Sequence, residues 1–212
     1  MKTALDVSSR SYRAEAVSEF VSSLLTMQTK RAQLALASCA EFPIVLTRDL
    51  ETARKWLQRR KRGSRRIGLV ASSGGRRLKA NGLDVRSELD VENWFLNPAI
   101  DVRSSYYLET PATEFGIQGL ELDWTGLCWE IDLVPEMDSW HVRAFKGTKW
   151  QTVRDVMHRQ YVLNKYRVLL TRAREGMIIW VPRSDDSDWS RPSEKYDTIA
   201  KYLCSCGIGS ID

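Results

Sequence analysis

The sequence has no Gly-Lys pair anywhere, so it contains no G-x-x-x-x-G-K-[ST] loop able to wrap a nucleoside triphosphate. It also has no apolar strand run ending in Asp-Glu, the pattern that usually supplies magnesium-binding and water-activating carboxylates. Four cysteines, Cys39, Cys128, Cys204 and Cys206, are too few and too irregular for a disulfide framework. With only two histidines, His141 and His158, far from Cys204-x-Cys206 in sequence, buried thiols are the simpler reading than a metal site. No Asp/Glu-x-Lys tripeptide occurs, which removes the common metal-dependent nuclease pattern; capping and solubility account for Asp84, Glu88, Asp90, Glu92, Glu130 and Asp132. No run approaches the roughly 18 apolar residues of a membrane helix, and no apolar segment follows a basic start. A reducing, cytoplasmic setting without membrane contact is expected.

What is present is the balance of a globular chain: 212 residues, 43% hydrophobic and 28% charged, enough to close one large α/β core. The net charge of +5 is unevenly spread. Eight of the thirteen positions from Arg54 to Arg66 are Lys or Arg, and Arg76, Arg77 and Lys79 follow. A charge run is ordinarily a solvated face. It would also attract a polyanion, because each phosphate neutralised releases counterions.

Apolar spacing predicts a helix over Tyr12–Met27, a buried strand over Phe42–Leu46, and a helix capped by Asp49 and stopped by Gly63. A strand follows at Arg66–Ala71, broken by Ser72-Ser73-Gly74-Gly75, and a short helix at Leu89–Phe95. Strands are expected at Tyr106–Glu109, Trp124–Ile131 and Met177–Val181. A helix is expected within Thr152–Arg174, and another over Glu194–Cys206 with Gly207 as its cap. Strand runs that are continuously apolar and alternate with helices argue for a mostly parallel sheet covered on both faces. The expectation is one domain over residues 1–212 with an irregular insertion at about 132–152. Trp129 and Trp180 should be core; Trp140, Trp150 and Trp189 fall in irregular stretches and are candidates for stacking on bases.

Two segments stand out: Thr113-Glu-Phe-Gly-Ile-Gln118-Gly119-Leu-Glu121-Leu-Asp, and Tyr166-Arg-Val-Leu-Leu-Thr171-Arg172-Ala173-Arg174. Taken singly, each has a structural explanation. Gln118-Gly119 would suit a left-handed turn, and Arg172 and Arg174 would suit a helix C-terminus. Together and in this order they resemble the fifth and sixth motifs of superfamily-1 helicases. The closer resemblance, from about Leu5 to Ile208, is to a bacterial branch related to the Schlafen helicase domains. Its fifth motif reads Gln-Gly-hydrophobic-Glu and its sixth Tyr-Arg-Val-Leu-Leu-Thr-Arg.

The resemblance implies a RecA-like C-terminal lobe of P-loop NTPase type, lacking the P-loop itself. It implies Arg172 as the arginine that reaches the γ-phosphate across an interlobe cleft, Glu121 as the ribose acceptor, and Gln118, Gly119 and Thr171 at the nucleotide. Thr113 would touch a nucleic-acid strand, with Arg59, Arg60 and Arg62 supplying the basic surface. Leu5-Asp-Val-Ser-Ser-Arg10 is similar to the fourth motif, whose arginine also meets the γ-phosphate; Arg13 competes with Arg10 for that role. The implied cofactor is ATP, with Mg2+ held by an upstream P-loop lobe, so this chain alone is expected to be inactive. The alternative is a stand-alone binder of DNA or RNA with a helicase-like fold and no catalysis.

Overall fold

The computed structural model describes the backbone of residues 4–39, 41–184 and 187–212, and side chains among these from residue 13 onward. In chain order the elements are α1 (Ala4–Leu25), α2 (Thr29–Ala37), β1 (Ile44–Thr47), α3 (Leu50–Gln58), β2 (Ile67–Ala71), α4 (Val91–Leu96) and β3 (Leu122–Cys128). There follow β4 (Leu133–Glu136), β5 (Ser139–Lys146), β6 (Lys149–Thr152), α5 (Val156–Leu170), β7 (Ala173–Trp180), α6 (Ser193–Ser205) and β8 (Gly209–Ser210). Five strands form one sheet in the order β2-β3-β7-β1-β8, and every pairing in it is parallel. The fold is α/β, as the alternation of apolar runs and helices predicts.

Period-two alternation along the central strands divides the core. Met177 and Ile179 of β7 face a cluster containing Phe20 and Leu24 of α1, Leu169 of α5, and Ile199 and Leu203 of α6. Ile178 and Trp180 face the other side, where Ala53, Trp56 and Leu57 of α3 lie. Both faces are therefore covered, which is why β2 is buried at every position. Helix starts follow local chemistry. Asp49 accepts from the amides of Glu51 and Thr52, Asp90 from Asn93, and Asp155 from His158, each satisfying an orphan donor of the first turn. Gly207, at φ +95°, ends α6 as expected.

Three expectations are corrected. Residues 105–107 form a 3-10 turn rather than a strand, because Leu108 enters the left-handed region and buries its side chain beneath α3. The 132–152 stretch is a three-stranded antiparallel sheet, β4-β5-β6, instead of an irregular insertion. Trp140 and Val142 point into the core while His141 and Arg143 are half-buried, the alternation of a one-sided strand, and Gly147 at φ +60° makes the second turn. Glu130 and Asp132, read as surface acids, are buried in the connection after β3. Helix α2, unforeseen, packs on α1. Among the described residues no helix is long and apolar enough to cross a membrane.

Gly176 is where the middle of the sheet closes. A Cβ there would sit 2.6 Å from the Trp124 ring and 2.7 Å from the Pro43 carbonyl oxygen, which accepts the amide of Met177. Backbone on one side and an indole on the other leave no room. Gly176→Ala is expected to cost about 2 kcal/mol or more in chemical denaturation, at the upper part of the range for overpacking; an unchanged midpoint would contradict this packing.

Candidate nucleotide cleft and the polar network behind it

The two sequence motifs meet because β3 and β7 are neighbours that begin together. Leu122 pairs with Ala173, and the Leu122 amide donates to the Arg172 carbonyl at 3.0 Å. The next pair is Trp124 with Gly176, so Asp123 alone stands opposite Arg174 and Glu175. This is a bulge, rare in parallel pairs, and a bulge re-aims the side chains it carries. Asp123 anchors the other side, its carboxylate accepting the Arg66 amide at 2.6 Å.

In front of this bulge, at the amino ends of β3 and β7, opens a cleft of about 700 Å³. Its walls include Glu121, Asp123, Thr171, Arg174 and Glu175, with Arg13 and Ser18 of α1 opposite. Glu121 and Arg174 pair at 2.9 Å, both half exposed or more, so the pair is open to rearrangement. Arg13 donates from Nη2 to Glu41 at 2.8 Å, while its buried Nε has no partner. The Thr171 hydroxyl donates to the Arg167 and Val168 carbonyls, closing the last turn of α5.

The other predicted residues fall around this cleft. Arg172 is half-buried outside its lining, with Nε donating to the Val168 carbonyl at 3.1 Å. Gln118 and Gly119 are exposed in the turn that leads into Glu121, and Gly119 has the left-handed backbone (φ +76°) anticipated for it. Thr113 begins the same turn beside the Val70–Ala112 bridge, toward the carboxyl ends of the strands. Arg59 and Arg62 are exposed, whereas Arg60 stacks 3.5 Å above the Trp56 ring and donates to its carbonyl. Arg65 reaches Glu175 at 2.7 Å, which ties the basic tract to the cleft wall. The Arg10 side chain lies outside the described residues.

Glu121 and Thr171, one from each of the two segments singled out in the sequence, thus line one open cleft, with Arg172 just outside it. The family model described as Schlafen group 3, DNA/RNA helicase domain, matches residues 1–183. The chain belongs to that helicase-domain family. The match spans both motifs and ends after β7, before α6 and β8. Neither the curated proteins nor the solved structures contain a match.

Behind the cleft, at the carboxyl ends of the strands, the helicase domain buries a polar network. Lys165 of α5 and Glu114 pair at 3.3 Å with side chains 6% and 7% exposed. Glu114 also accepts from the Ser73 amide at 2.9 Å and hydroxyl at 2.6 Å. The Ser72–Arg76 turn is thus spent internally: Gly74 N–H donates to the Ser72 hydroxyl, Gly75 N–H to the Ser72 carbonyl, and Arg76 N–H to the Gly74 carbonyl. The four amides from Ser73 to Arg76 are each paired within the chain. Asp132 accepts from the Ser72 hydroxyl and, at 2.6 Å, from the Tyr166 hydroxyl; Glu130 accepts from Tyr196 at 2.5 Å and from the Ile131 amide. Burial pushes the Glu130 carboxyl up to about 7 and raises Asp132 as well.

Sequence reading missed Lys165 and Glu114, although a signal exists. Val162, Lys165, Tyr166 and Leu169 share the buried stripe of α5, so a lysine stands where an apolar residue belongs. Among the described residues no group of three or more His, Cys, Asp and Glu is arranged to hold a metal ion. Cys204 is exposed and Cys206 buried.

Two predictions follow from this network. Lys165→Met leaves the Glu114 carboxylate buried without its cation and is expected to destabilise the fold by about 3 kcal/mol. Glu114→Gln in the same background should recover part of that loss, read as a double-mutant cycle. Because the folded Glu130 pKa lies above its unfolded value, the native state holds the extra proton. Its stabilising contribution is complete below the usual carboxylate range and is lost as pH rises to about 7. Glu130→Gln should remove that decline, which in the native chain reaches at most about 1.4 kcal/mol per pH unit; equal slopes for both proteins would contradict the assignment.

Proposed function

We propose that this helicase domain is the C-terminal, RecA-like lobe of an ATP-dependent DNA/RNA helicase or translocase, with the ATP site completed by a P-loop lobe. The observation that carries the reading is the bulged β3–β7 pairing. It brings Glu121, Thr171, Arg174 and Glu175 around one open cleft, with Arg172 at its edge and the unpartnered Nε of Arg13 across from them. A ribose hydroxyl would donate to Glu121, and phosphate oxygens would meet Arg13 and Arg172. The nitrogens at the tip of Arg172 make no hydrogen bond among the described residues, and only its Nε is spent. Rotation about the side chain would turn that guanidinium toward an incoming γ-phosphate, where a fixed planar cation stabilises charge spread over equatorial oxygens.

The absence of a triphosphate grip supports the division of labour. The amides of residues 73–76 are consumed, and the Mg2+-binding carboxylates would belong to the other lobe. Bound ATP would supply the driving force; this chain would contribute orientation, the ribose contact and the arginine. Gln118 and Gly119, in the turn between Thr113 and Glu121, would link the nucleotide to a strand held near Thr113, Arg59 and Arg62.

The coding sequence upstream of Met1, read in frame, is expected to contain a G-x-x-x-x-G-K-[ST] loop and a strand ending in Asp-Glu. In the joined polypeptide Arg172→Ala should lower nucleic-acid-stimulated ATP hydrolysis by about 10³-fold or more while leaving strand binding intact. An Arg172→Ala protein with full turnover would overturn the assignment and favour a nucleic-acid-binding module without catalysis.

A further inference from the structure

The end of the β5–β6 hairpin is held in a way that the nucleotide cleft does not explain. Lys146 and Lys149 are a directly opposed cross-strand pair, both exposed, on either side of the Gly147-Thr148 turn. Like charges placed opposite one another weaken a strand pair. Among the described residues neither lysine forms an ion pair, and the hairpin's own acids, Glu136 and Asp138, lie at the far end of β5. Arg76 adds a third exposed cation at this spot, with Nη1 donating to the Phe145 carbonyl at 3.3 Å. Three positive charges are thus concentrated on one protrusion, and among the described residues none of them forms an ion pair.

An aromatic surface lies beside them. Trp150 donates from Nε1 to the Ser190 carbonyl at 2.8 Å, and Arg77, placed over the Phe145 ring, pairs with Asp188 at 2.5 Å. The first contact holds residue 190 on the hairpin, and the second ties residue 188 to Arg77, whose guanidinium lies over the hairpin's Phe145. Trp189, between these two residues, is 66% exposed. Of the three tryptophans in the stretches read as irregular, Trp140 is buried, Trp150 is half-buried, and Trp189 alone offers its ring to solvent. An exposed indole on a segment held at both sides, near exposed cations, is the combination that holds unpaired bases and their phosphates. A duplex, whose base faces are closed within the stack, would use only the cations.

We propose that the β5–β6 hairpin end, with Arg76 and Trp189, is a binding surface for single-stranded nucleic acid. Phosphates sit on Lys146, Lys149 and Arg76, and a base stacks on the Trp189 ring. The inference rests on the reading of this domain as a nucleic-acid motor lobe and adds a second contact to it. The Arg59–Arg66 tract precedes the amino end of β2, whereas Arg76 follows its carboxyl end, so the two surfaces lie at opposite ends of that strand.

The test is fluorescence anisotropy of a labelled oligothymidylate of about 16 nucleotides, and of a duplex of equal length, titrated with the full chain across a salt series. Lys146→Gln/Lys149→Gln is expected to weaken single-strand binding and to flatten the log–log salt slope by about 1.4, the value for two lost phosphate contacts. Trp189→Ala should weaken single-strand binding about fivefold or more and leave duplex binding unchanged. All three substituted residues are exposed, and circular dichroism of each variant should match the native chain. If the native chain binds but both variants bind equally well with the same slope, the hairpin surface is overturned while the motor reading stands. A native chain that binds neither oligonucleotide overturns the nucleic-acid reading and this surface with it. If polyglutamate displaces the oligonucleotide at equal charge concentration and Trp189→Ala has no effect, the surface serves an acidic protein and the proposal fails.

Discussion

The parallel pairing of β3 with β7, and the bulge near its start, is the constraint on which the site depends. A regular ladder would pair Asp123 with one residue and continue. Here Asp123 faces both Arg174 and Glu175, and the Leu122 amide is tied to the Arg172 carbonyl. Backbone hydrogen bonds of this kind leave little freedom in where the attached side chains begin. Glu121 and Thr171, fifty positions apart in sequence, become neighbours because two strands start level with each other. Gly176 permits this closure, since Trp124 and Pro43 occupy the space a side chain would need.

The buried network on the far side makes the same assembly rigid. Lys165 belongs to the helix that ends in Thr171, and Glu114 to the turn that ends in Glu121. Their pairing, together with Ser73 after β2, joins three segments at the ends opposite the cleft. Breaking one partner of such a pair costs far more than the pair itself contributes, because a lone charge cannot be solvated there. The network therefore enforces one arrangement of α5 against the 113–121 turn. In the motor reading this is the connection through which nucleotide and strand would sense each other.

Much of this was legible from local patterns. The apolar runs at 42–46, 66–71 and 177–181 located β1, β2 and β7, and Asp49 and Gly207 marked helix ends, since caps and strand runs depend on near neighbours. The Thr113–Asp123 and Tyr166–Arg174 segments were legible as motifs. The antiparallel sheet at 132–152 was harder, because its buried Trp140 and Val142 alternate over too few residues to stand out. The 3-10 turn at 105–107 was misread because the three-residue run Tyr106-Tyr107-Leu108 is too short to carry a period of its own.

By itself the sequence determined the α/β class, the parallel character of the sheet, the lack of a phosphate loop and the helicase-domain family, because each rests on composition, period or short-range spacing. Only the tertiary structure decided which side chains meet. Register between distant strands, the bulge opposite Asp123, the burial of Glu130, Asp132 and Lys165, and the exposure of Trp189 all arise from contacts between segments far apart in the chain. No local pattern encodes those, since strand register and side-chain burial are set by packing that the whole core must satisfy at once.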